Sequence, residues 1–524
     1  MQARDDRQDV ALIGAGIGGL AAAGWLVAAG RDVTVFERHG HPGGKLRALP
    51  SPAGPVDAGP TVLTLRDVFD DLFAALGTRL EKHLALARLP VIARHFWPDG
   101  GRLDLTGDTG RDAEAIGRFA GSEAAREFRA FDTAARRLYA AFDAPVMRAP
   151  RPDRARIMAA IARTPRLLAD LAPGATLDAR LKARFDDPRL VQLFGRYATY
   201  VGGNPLHAPA LLALIWRAEA EGVWAVEGGL WRLAAVLHEL LAARGVRFRF
   251  ETDVAAIETD AHGVAGLRLA DGTRIAARSV LFNGDPRALA TGALGPNVAH
   301  LAAEAARSRS LSAHVWSFAA RAAGPELARH NVFFTADGRA EFAALTAGRT
   351  PADPSLYLCA QDRGTGPAPA GPERFEIIAN APPAGATRAP GEGQTCPTRS
   401  IETLARFGLR LDPAPGPMAP TRPGDFAEMF PASLGALYGQ SPDALTAAFR
   451  RPTARTAVPG LYLAGGGVHP GPGLPMAALS GRHAAEAMLS DRTSRSRSRP
   501  GDTAGGISTR SATTAAAPSR RSAS

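Results

Sequence analysis

The sequence predicts an α/β protein, with a Rossmann-like nucleotide-binding domain assembled from non-contiguous stretches and an α+β substrate domain threaded between them. Three observations predict it. A G-x-G-x-x-G turn lies between two strand-type runs within residues 10–38. A second strand, glycine-rich loop and helix close the folded body at residues 460–489. Between the two, helical periodicity gives way to runs of strand type.

The opening stretch reads VALIGAGIGGLAAAGWLVAAGRDVTVFER. Residues 10–13 form a short apolar strand, and Gly14, Gly16 and Gly19 then fall in register, with Gly18 as an extra small residue. In that pattern the first glycine makes the tight turn, the second admits a pyrophosphate to the backbone, and the third seats the helix close to the sheet. The following helix aims its N-terminal N–H groups at the phosphate. Residues 32–36 give the second strand, ending at Glu37, 18 residues after Gly19. That is close to the spacing of about 20 residues for the acid that holds a ribose hydroxyl. The uncharged run over residues 10–30 is not a membrane span or a signal core. It is mostly Ala and Gly, which gain little in lipid, and the preceding MQARDDRQD carries three Asp.

The chain has 524 residues, 46% hydrophobic and 22% charged, ordinary for a soluble protein with two or three domains' worth of core. Two cysteines, Cys359 and Cys396, make no disulfide framework and indicate a reducing compartment. The net charge is +11, of which the tail from Asp491 supplies +5 through seven Arg and two Asp. The body lacks basic runs, so the charge is not a nucleic-acid footprint.

After Glu37 and Arg38, Gly43-Gly44-Lys45 is a turn ending in a cation, placed for a second approach to the pyrophosphate; a plain surface turn is the competing reading. Residues 56–60 form a second small-residue loop beside the cofactor. Residues 91–97 and 102–105 read as a hairpin. Residues 112–144, 156–171 and 179–200 are helical and form an insert that ends at Gly202-Gly203. Residues 230–241 give another helix, with Gly245 as its stop and a strand at 246–250. Strands follow at 254–257, 264–269 and 273–277, and a separate one at 279–283 re-enters the core. Residues 289–459 are mainly sheet, with strands at 312–318, 331–334, 356–360 and 375–379 and a helix at 401–407.

The closing motif, GLYLAGGGVHPGPGLPMAALSGRHAAEAML, repeats the opening logic. A strand at 461–464 runs into Gly465-Gly466-Gly467, and a helix starts near Leu474, Pro475 and Met476. In a flavoprotein such a helix terminus can stabilise negative charge near N1 of the reduced ring. The expected partition is 1–66, 225–290 and 455–490 for the nucleotide domain, 67–224 and 291–454 for the substrate and membrane-contact domain, and 491–524 for a disordered tail.

These motifs resemble the bacterial phytoene-desaturase-type carotenoid oxidoreductases over residues 9–489. Within that family the likeness is to the 1-hydroxycarotenoid 3,4-desaturases, carried by DAGPTVLTLRDVFDDLF (57–73), HFWPDGGRLDL (95–105) and LYLCAQDRG (356–364). The resemblance implies FAD, an acyclic carotenoid substrate, removal of hydrogens from C3 and C4 of a 1-hydroxylated end, and quinone or oxygen as electron acceptor. It implies cofactor contacts at Gly14, Gly16, Gly18, Gly19, Glu37, Arg38, Gly44, Lys45, Gly465, Gly466, Pro475 and Met476. No metal and no nucleic acid enter. His469 is a weak candidate for a chemical role, because its loop should lie near the flavin. Arg196, Tyr200 and His207 are weaker candidates still, for which helix-packing or surface roles are the favoured reading.

A carotenoid also implies a membrane. At about 0.8 kcal/mol per CH₂, some 40 carbons hold on the order of 30 kcal/mol against release into water. The expectation is a cytoplasmic protein seated peripherally on the inner membrane, with the helical insert as contact surface. Three alternatives stand beside this reading: a desaturase of phytoene or a non-hydroxylated carotene, a related FAD-dependent isomerase or ketolase, and a non-catalytic prenyl-lipid carrier.

Overall fold

A computed structural model describes residues 7–386, 397–413, 418–444 and 446–497. Two sheets dominate it. In the first, the strands Arg247–Arg249, Val33–Phe36, Gln8–Ile13, Arg274–Phe282 and Leu461–Leu463 lie side by side and parallel. Val254–Asp260 and Gly263–Leu269 extend it antiparallel. Alternation along the strands splits its side chains. Val10, Leu12, Val33 and Val35 pack with Leu20, Leu72, Leu237 and Ala484. On the other side Ala11, Phe36, Val280, Phe282 and Leu463 form a separate cluster. Burial on both faces explains why these strands read as continuous apolar runs.

The second sheet has eight strands. Its order runs Arg410–Pro413, Ser312–Ala323, Glu373–Ala381, Leu356–Ala360, His330–Phe333, Ala93–Phe96 and Arg102–Leu105, with Ala419–Thr421 also on Ser312–Ala323. One face is a dry core of Phe96, Trp316, Phe318, Phe333, Leu358, Phe375 and Ile377 under Leu404 and Leu409. The helical insert packs against the opposite face. Its core joins Phe128, Phe131, Phe194, Tyr197 and Trp216 to Trp97, Val332 and Phe334 of the sheet.

The structure departs from the sequence expectations in several places, among them the unmarked strands Arg410–Pro413 and Ala419–Thr421 and the division of 156–171 into Arg154–Arg163 and Arg166–Leu171 at Pro165. The helical pattern of 112–144 is two helices, Thr109–Ala120 and Ser122–Phe142, because Gly121 adopts φ +97° between them. The strands expected at 273–277 and 279–283 are one, Arg274–Phe282. Its first half pairs antiparallel with Gly263–Leu269 and its second half parallel with Gln8–Ile13, so the change of partner, not a break in the chain, produced the change in pattern. The closing helix runs from Leu474 to Arg497, past the point at which the tail was expected to begin. Residues 498–524 of that tail, and Cys396, lie outside the described residues. No helix among the described residues is long and apolar enough to cross a membrane.

Candidate cofactor and substrate site

The two glycine motifs meet at the ends of the parallel strands. Gly14 turns the chain at φ +97°, and the first helix starts at Ile17 with no side-chain cap and no acid in its first turn. Its N-terminal N–H groups are therefore left for an anion. A Cβ on Gly19 would stand 2.2 Å from the Gly14 carbonyl oxygen, and one on Gly18 would stand 2.9 Å from Gly465 Cα. These two glycines serve packing of backbone on backbone. Gly16 and Gly466 are less crowded, with nearest neighbours Asn283 Nδ2 at 3.1 Å and Pro472 Cα at 3.5 Å. Asn283, which the sequence reading did not single out, ties the motifs together: its Nδ2 donates to Gly14 O at 3.1 Å, and its Oδ1 faces Gly18 and Gly465.

Glu37 is 5% exposed. Its carboxylate accepts the N–H of Ala15 at 2.7 Å and of His39 at 2.9 Å, one on each oxygen. A second lone pair on each oxygen remains for ribose hydroxyls. Arg38 instead pairs with Asp253 at 3.7 Å.

Gly43 donates to Ala15 O at 2.9 Å, and a Cβ on Gly44 would lie 3.2 Å from Gly16 Cα, so this turn rests on the first one. It delivers Lys45 into a buried group of cations. Lys45 Nζ donates to Leu437 O at 2.6 Å. Arg451 donates to the carbonyls of Tyr438, Gln440 and Gly466. Arg309 pairs with Asp285. Burial pulls the Lys45 amine down to about 8 and Arg451 to about 10; Arg309 adds to both shifts and Asp285 opposes them. Three cations thus share one carboxylate, a surplus of two positive charges. The pyrophosphate of FAD carries two negative charges, and the residues present fit it.

The closing helix completes this end. Gly465 N–H is spent on Ser480 Oγ at 3.1 Å. The hydrogen bond from Ala477 N–H to Gly473 O opens the helix ladder, which leaves the Met476 N–H in the first turn beyond Pro475. His469 is 2% exposed, with Nε2 donating to Ala149 O at 2.9 Å. Its Nδ1 has no partner, and burial lowers the imidazole to about 4. It is neutral at pH 7, and its observed bond latches its loop to the insert.

The second sheet contributes a wall. Strand pairing sets His95 opposite Val332, Val332 opposite Tyr357, His330 opposite Cys359, Cys359 opposite Glu376, and Glu376 opposite Ser317. Paired residues share a face, so His95, His330, Tyr357, Cys359, Glu376 and Ser317 stand together on the side away from the dry core. Tyr357 OH lies 2.6 Å from Thr61 Oγ1, and Asp57 N–H donates to Gln361 Oε1 at 3.1 Å, which joins this wall to the loop of residues 56–60 and Thr61. Burial drives each titratable group here to its uncharged form. Glu376 and Tyr357 are raised well above their ordinary values, and Cys359 is raised to about 12. His330 is lowered to about 3, and His95 falls well below its ordinary value. HFWPDGGRLDL and LYLCAQDRG, which carried only the narrower family likeness, supply His95, Tyr357 and Cys359; nothing local in the sequence marks Glu376. Tyr200, with Arg196 donating to its hydroxyl, packs against the cluster of Trp97, Val332 and Phe334 as Tyr357 of the wall does; the sequence made both weaker candidates for a chemical role and favoured packing or surface roles.

The family model described as flavin-containing amine oxidoreductase matches residues 17–316. The chain is 54% identical to the hydroxyneurosporene desaturase of Cereibacter sphaeroides, over 93% of this chain and 99% of that one. It is 51% identical to the hydroxyneurosporene desaturase of Rhodobacter capsulatus, over 93% and 98%. Among solved structures, cyclohexylamine oxidase from Brevibacterium oxydans superposes with a TM-score of 0.59 over 93% of this chain and 100% of that one, at 16% identity, a likeness of fold.

Proposed function

The chain belongs to the flavin-containing amine oxidoreductases, and we propose that it is an FAD-dependent desaturase that introduces the C3–C4 double bond into 1-hydroxylated acyclic carotenoids. The observation that carries this reading is the 54% identity, nearly end to end, with a hydroxyneurosporene desaturase.

FAD, when bound, supplies the two-electron acceptor for the hydrogens that leave the substrate. Everything else falls to the chain. Gly14, Gly16, Gly44, Gly466, Glu37, Lys45, Arg309, Arg451 and the helix termini at Ile17 and Leu474–Met476 hold the cofactor. Residues 1–66, 225–290 and 455–490 form that holding unit; the parallel strands of the first sheet are all drawn from these stretches. Residues 67–224 and 291–454 form the substrate unit. The titratable groups of the His95–Glu376 wall are themselves uncharged toward a hydrocarbon, and the one cation brought to it is Arg196 at its insert-facing end. Burial of that wall keeps water from the reacting carbons. Asp57 anchors the loop that adjoins it: its carboxylate accepts the N–H of Leu230 at 2.7 Å and of Trp231 at 2.9 Å.

The protein takes its substrate from the inner membrane without spanning it, passing electrons to quinone or oxygen. The support for a lipid-facing surface lies on the insert. Met158 and Leu168 are exposed large hydrophobics, 62% and 50% exposed, on the neighbouring helices Arg154–Arg163 and Arg166–Leu171. Arg154, Arg156 and Arg163 on the first of these helices, Arg166 on the second and Arg151 just before them are all exposed. Apolar side chains on helices that bear exposed arginines suit an anionic bilayer surface.

The test is turnover in liposomes with FAD and quinone, supplying a 1-hydroxy acyclic carotenoid, its hydroxyl-free counterpart and phytoene in parallel. A red shift of the visible absorption with the hydroxylated substrate alone is the expected result. A shift with phytoene instead would overturn the substrate assignment, and a purified protein without flavin absorbance would overturn the enzymatic reading.

A further inference from the structure

At its insert-facing end the wall carries a polar cluster that the proposed reaction does not use. The turn Arg196–Val201 brings Arg196, Tyr197 and Tyr200 over the sheet, next to Glu219 of the neighbouring helix. The Glu219 carboxylate is taken by two phenols, Tyr197 OH on one oxygen and Tyr200 OH at 2.5 Å on the other. Arg196 reaches the carboxylate only through Tyr200, donating from Nη1 to its oxygen at 3.1 Å. Its Nε and Nη2 are buried and donate to nothing.

His95 on the wall is fully buried. Its Nδ1 is 3.2 Å from Leu103 O. A carbonyl only accepts, so Nδ1 carries the proton and Nε2 is a bare acceptor. That Nε2 is buried without a partner. His330, 2% exposed, has Nδ1 2.6 Å from Tyr357 OH, and its Nε2 is likewise unpartnered. The rings of Trp97 and Phe334, 6.2 and 6.0 Å from that of His95, belong to the same apolar cluster as Tyr197 and Tyr200, over which the Arg196 guanidinium stacks, which brings the guanidinium to this part of the wall. Around these atoms the surroundings are apolar: Trp97, Ala198, Val332 and Phe334.

A cationic N–H donor and a neutral nitrogen acceptor, both buried without partners at one apolar cluster, define the chemistry of a group that would pair with both. A hydrocarbon leaves both unpaired. A carboxylate would satisfy the guanidinium but set its own lone pairs against His95 Nε2. A hydroxyl answers both, accepting from Arg196 and donating to His95. We propose that Arg196 and His95, backed by His330 and Tyr357, form the pocket that grips the tertiary hydroxyl of the substrate and so decide which carotenoids are desaturated. This rests on the substrate class proposed above. The position suits that chemistry. The hydroxyl on C1 is separated from the C3–C4 bond by a single methylene, so its partner must adjoin the reaction centre. The chain His330–Tyr357–Thr61 links the cluster directly to the loop beside the cofactor unit.

The test uses the FAD-loaded enzyme in liposomes. The kcat/KM values for the 1-hydroxy carotenoid and its hydroxyl-free counterpart are compared for wild type, Arg196→Met, His95→Phe and Arg196→Lys. Removing the donor or the acceptor should lower the ratio of the two kcat/KM values by about 100-fold or more, mainly through KM for the hydroxylated substrate, while Arg196→Lys restores part of it. Variants that slow both substrates equally, leaving the ratio at the wild-type value, overturn the pocket. A wild type with no preference for the hydroxylated substrate overturns the substrate class instead. A second measurement needs neither variants nor turnover: thermal unfolding of the wild-type holoenzyme with a ten-carbon isoprenoid bearing a terminal tertiary alcohol, beside the same chain without oxygen. A rise in Tm with the alcohol alone supports the pocket, and equal shifts, or none, overturn it.

Discussion

Gly481→Ala should destabilise the protein although it replaces a helical glycine with the best helix former. Gly481 lies in the closing helix against the first helix. A Cβ there would stand 2.2 Å from Gly18 O and 2.9 Å from Ala22 N, where ordinary contact begins at 3.4 Å. Both neighbours are backbone, so no side chain can turn aside, and the two helices must part by about 1 Å. Overpacking of this kind costs about 1–3 kcal/mol, and a rigid backbone contact belongs at the upper end. The alanine returns about 1 kcal/mol of helix propensity, for a net loss of about 2 kcal/mol. The displaced helix carries Leu474–Met476 at its start, so FAD should be held less well. Gly117→Ala is the matched control. It also lies inside a helix, but its Cβ would meet Ala125 Cβ at an ordinary 3.4 Å. It should gain about 0.5–1 kcal/mol. Thermal unfolding with FAD in excess, beside the flavin content after gel filtration, reads both. Gly481→Ala should lower Tm by about 2 °C and release flavin, while Gly117→Ala raises Tm slightly. Equal stability of wild type and Gly481→Ala, with flavin retained, would refute the packing argument.

The Lys45 amine, lowered to about 8, is protonated below that pH, and a pyrophosphate favours the protonated form. The Kd for FAD should therefore be flat below about pH 8 and weaken above it, approaching tenfold per unit. Lys45→Met should weaken binding by about 10–100-fold and abolish this dependence, as read by fluorescence titration of the apoprotein. Glu376 is raised above its unfolded value by burial, so in the window above about pH 4.5 the folded protein holds a proton that the unfolded chain releases. Stability then falls as pH rises toward the folded value. Glu376→Gln should remove that slope, and thermal unfolding from pH 5 to 8 should show the variant gaining on wild type as pH increases. Met158→Glu and Leu168→Glu should each reduce co-sedimentation with anionic liposomes by about tenfold, which corresponds to roughly 1.4 kcal/mol per side chain. Undiminished binding by the double variant would place the membrane contact elsewhere.

The sequence by itself determined the strand–glycine–helix framework of the first sheet, because its constraints are local. A strand, a turn that only glycine can make and a helix lie within a few residues of one another, and both copies of that pattern could be read without knowing where the rest of the chain goes. The periodicity rules also found six of the eight strands of the second sheet, since one of its faces is a continuous apolar core; the short edge strands Arg410–Pro413 and Ala419–Thr421 were missed. What the sequence left out depends on register across distant strands. His95, His330, Tyr357, Cys359 and Glu376 come from four strands spread over some 280 residues, and each alone looks like a stray polar group in an apolar run. The same holds for the split pairing of Arg274–Phe282, the surplus of positive charge around Asp285, and Arg196, whose isolation follows from the two tyrosines that occupy Glu219 ahead of it. Such groups gain their chemistry from burial and from one another. Burial and long-range pairing are properties of the folded chain, so the tertiary structure alone could decide them.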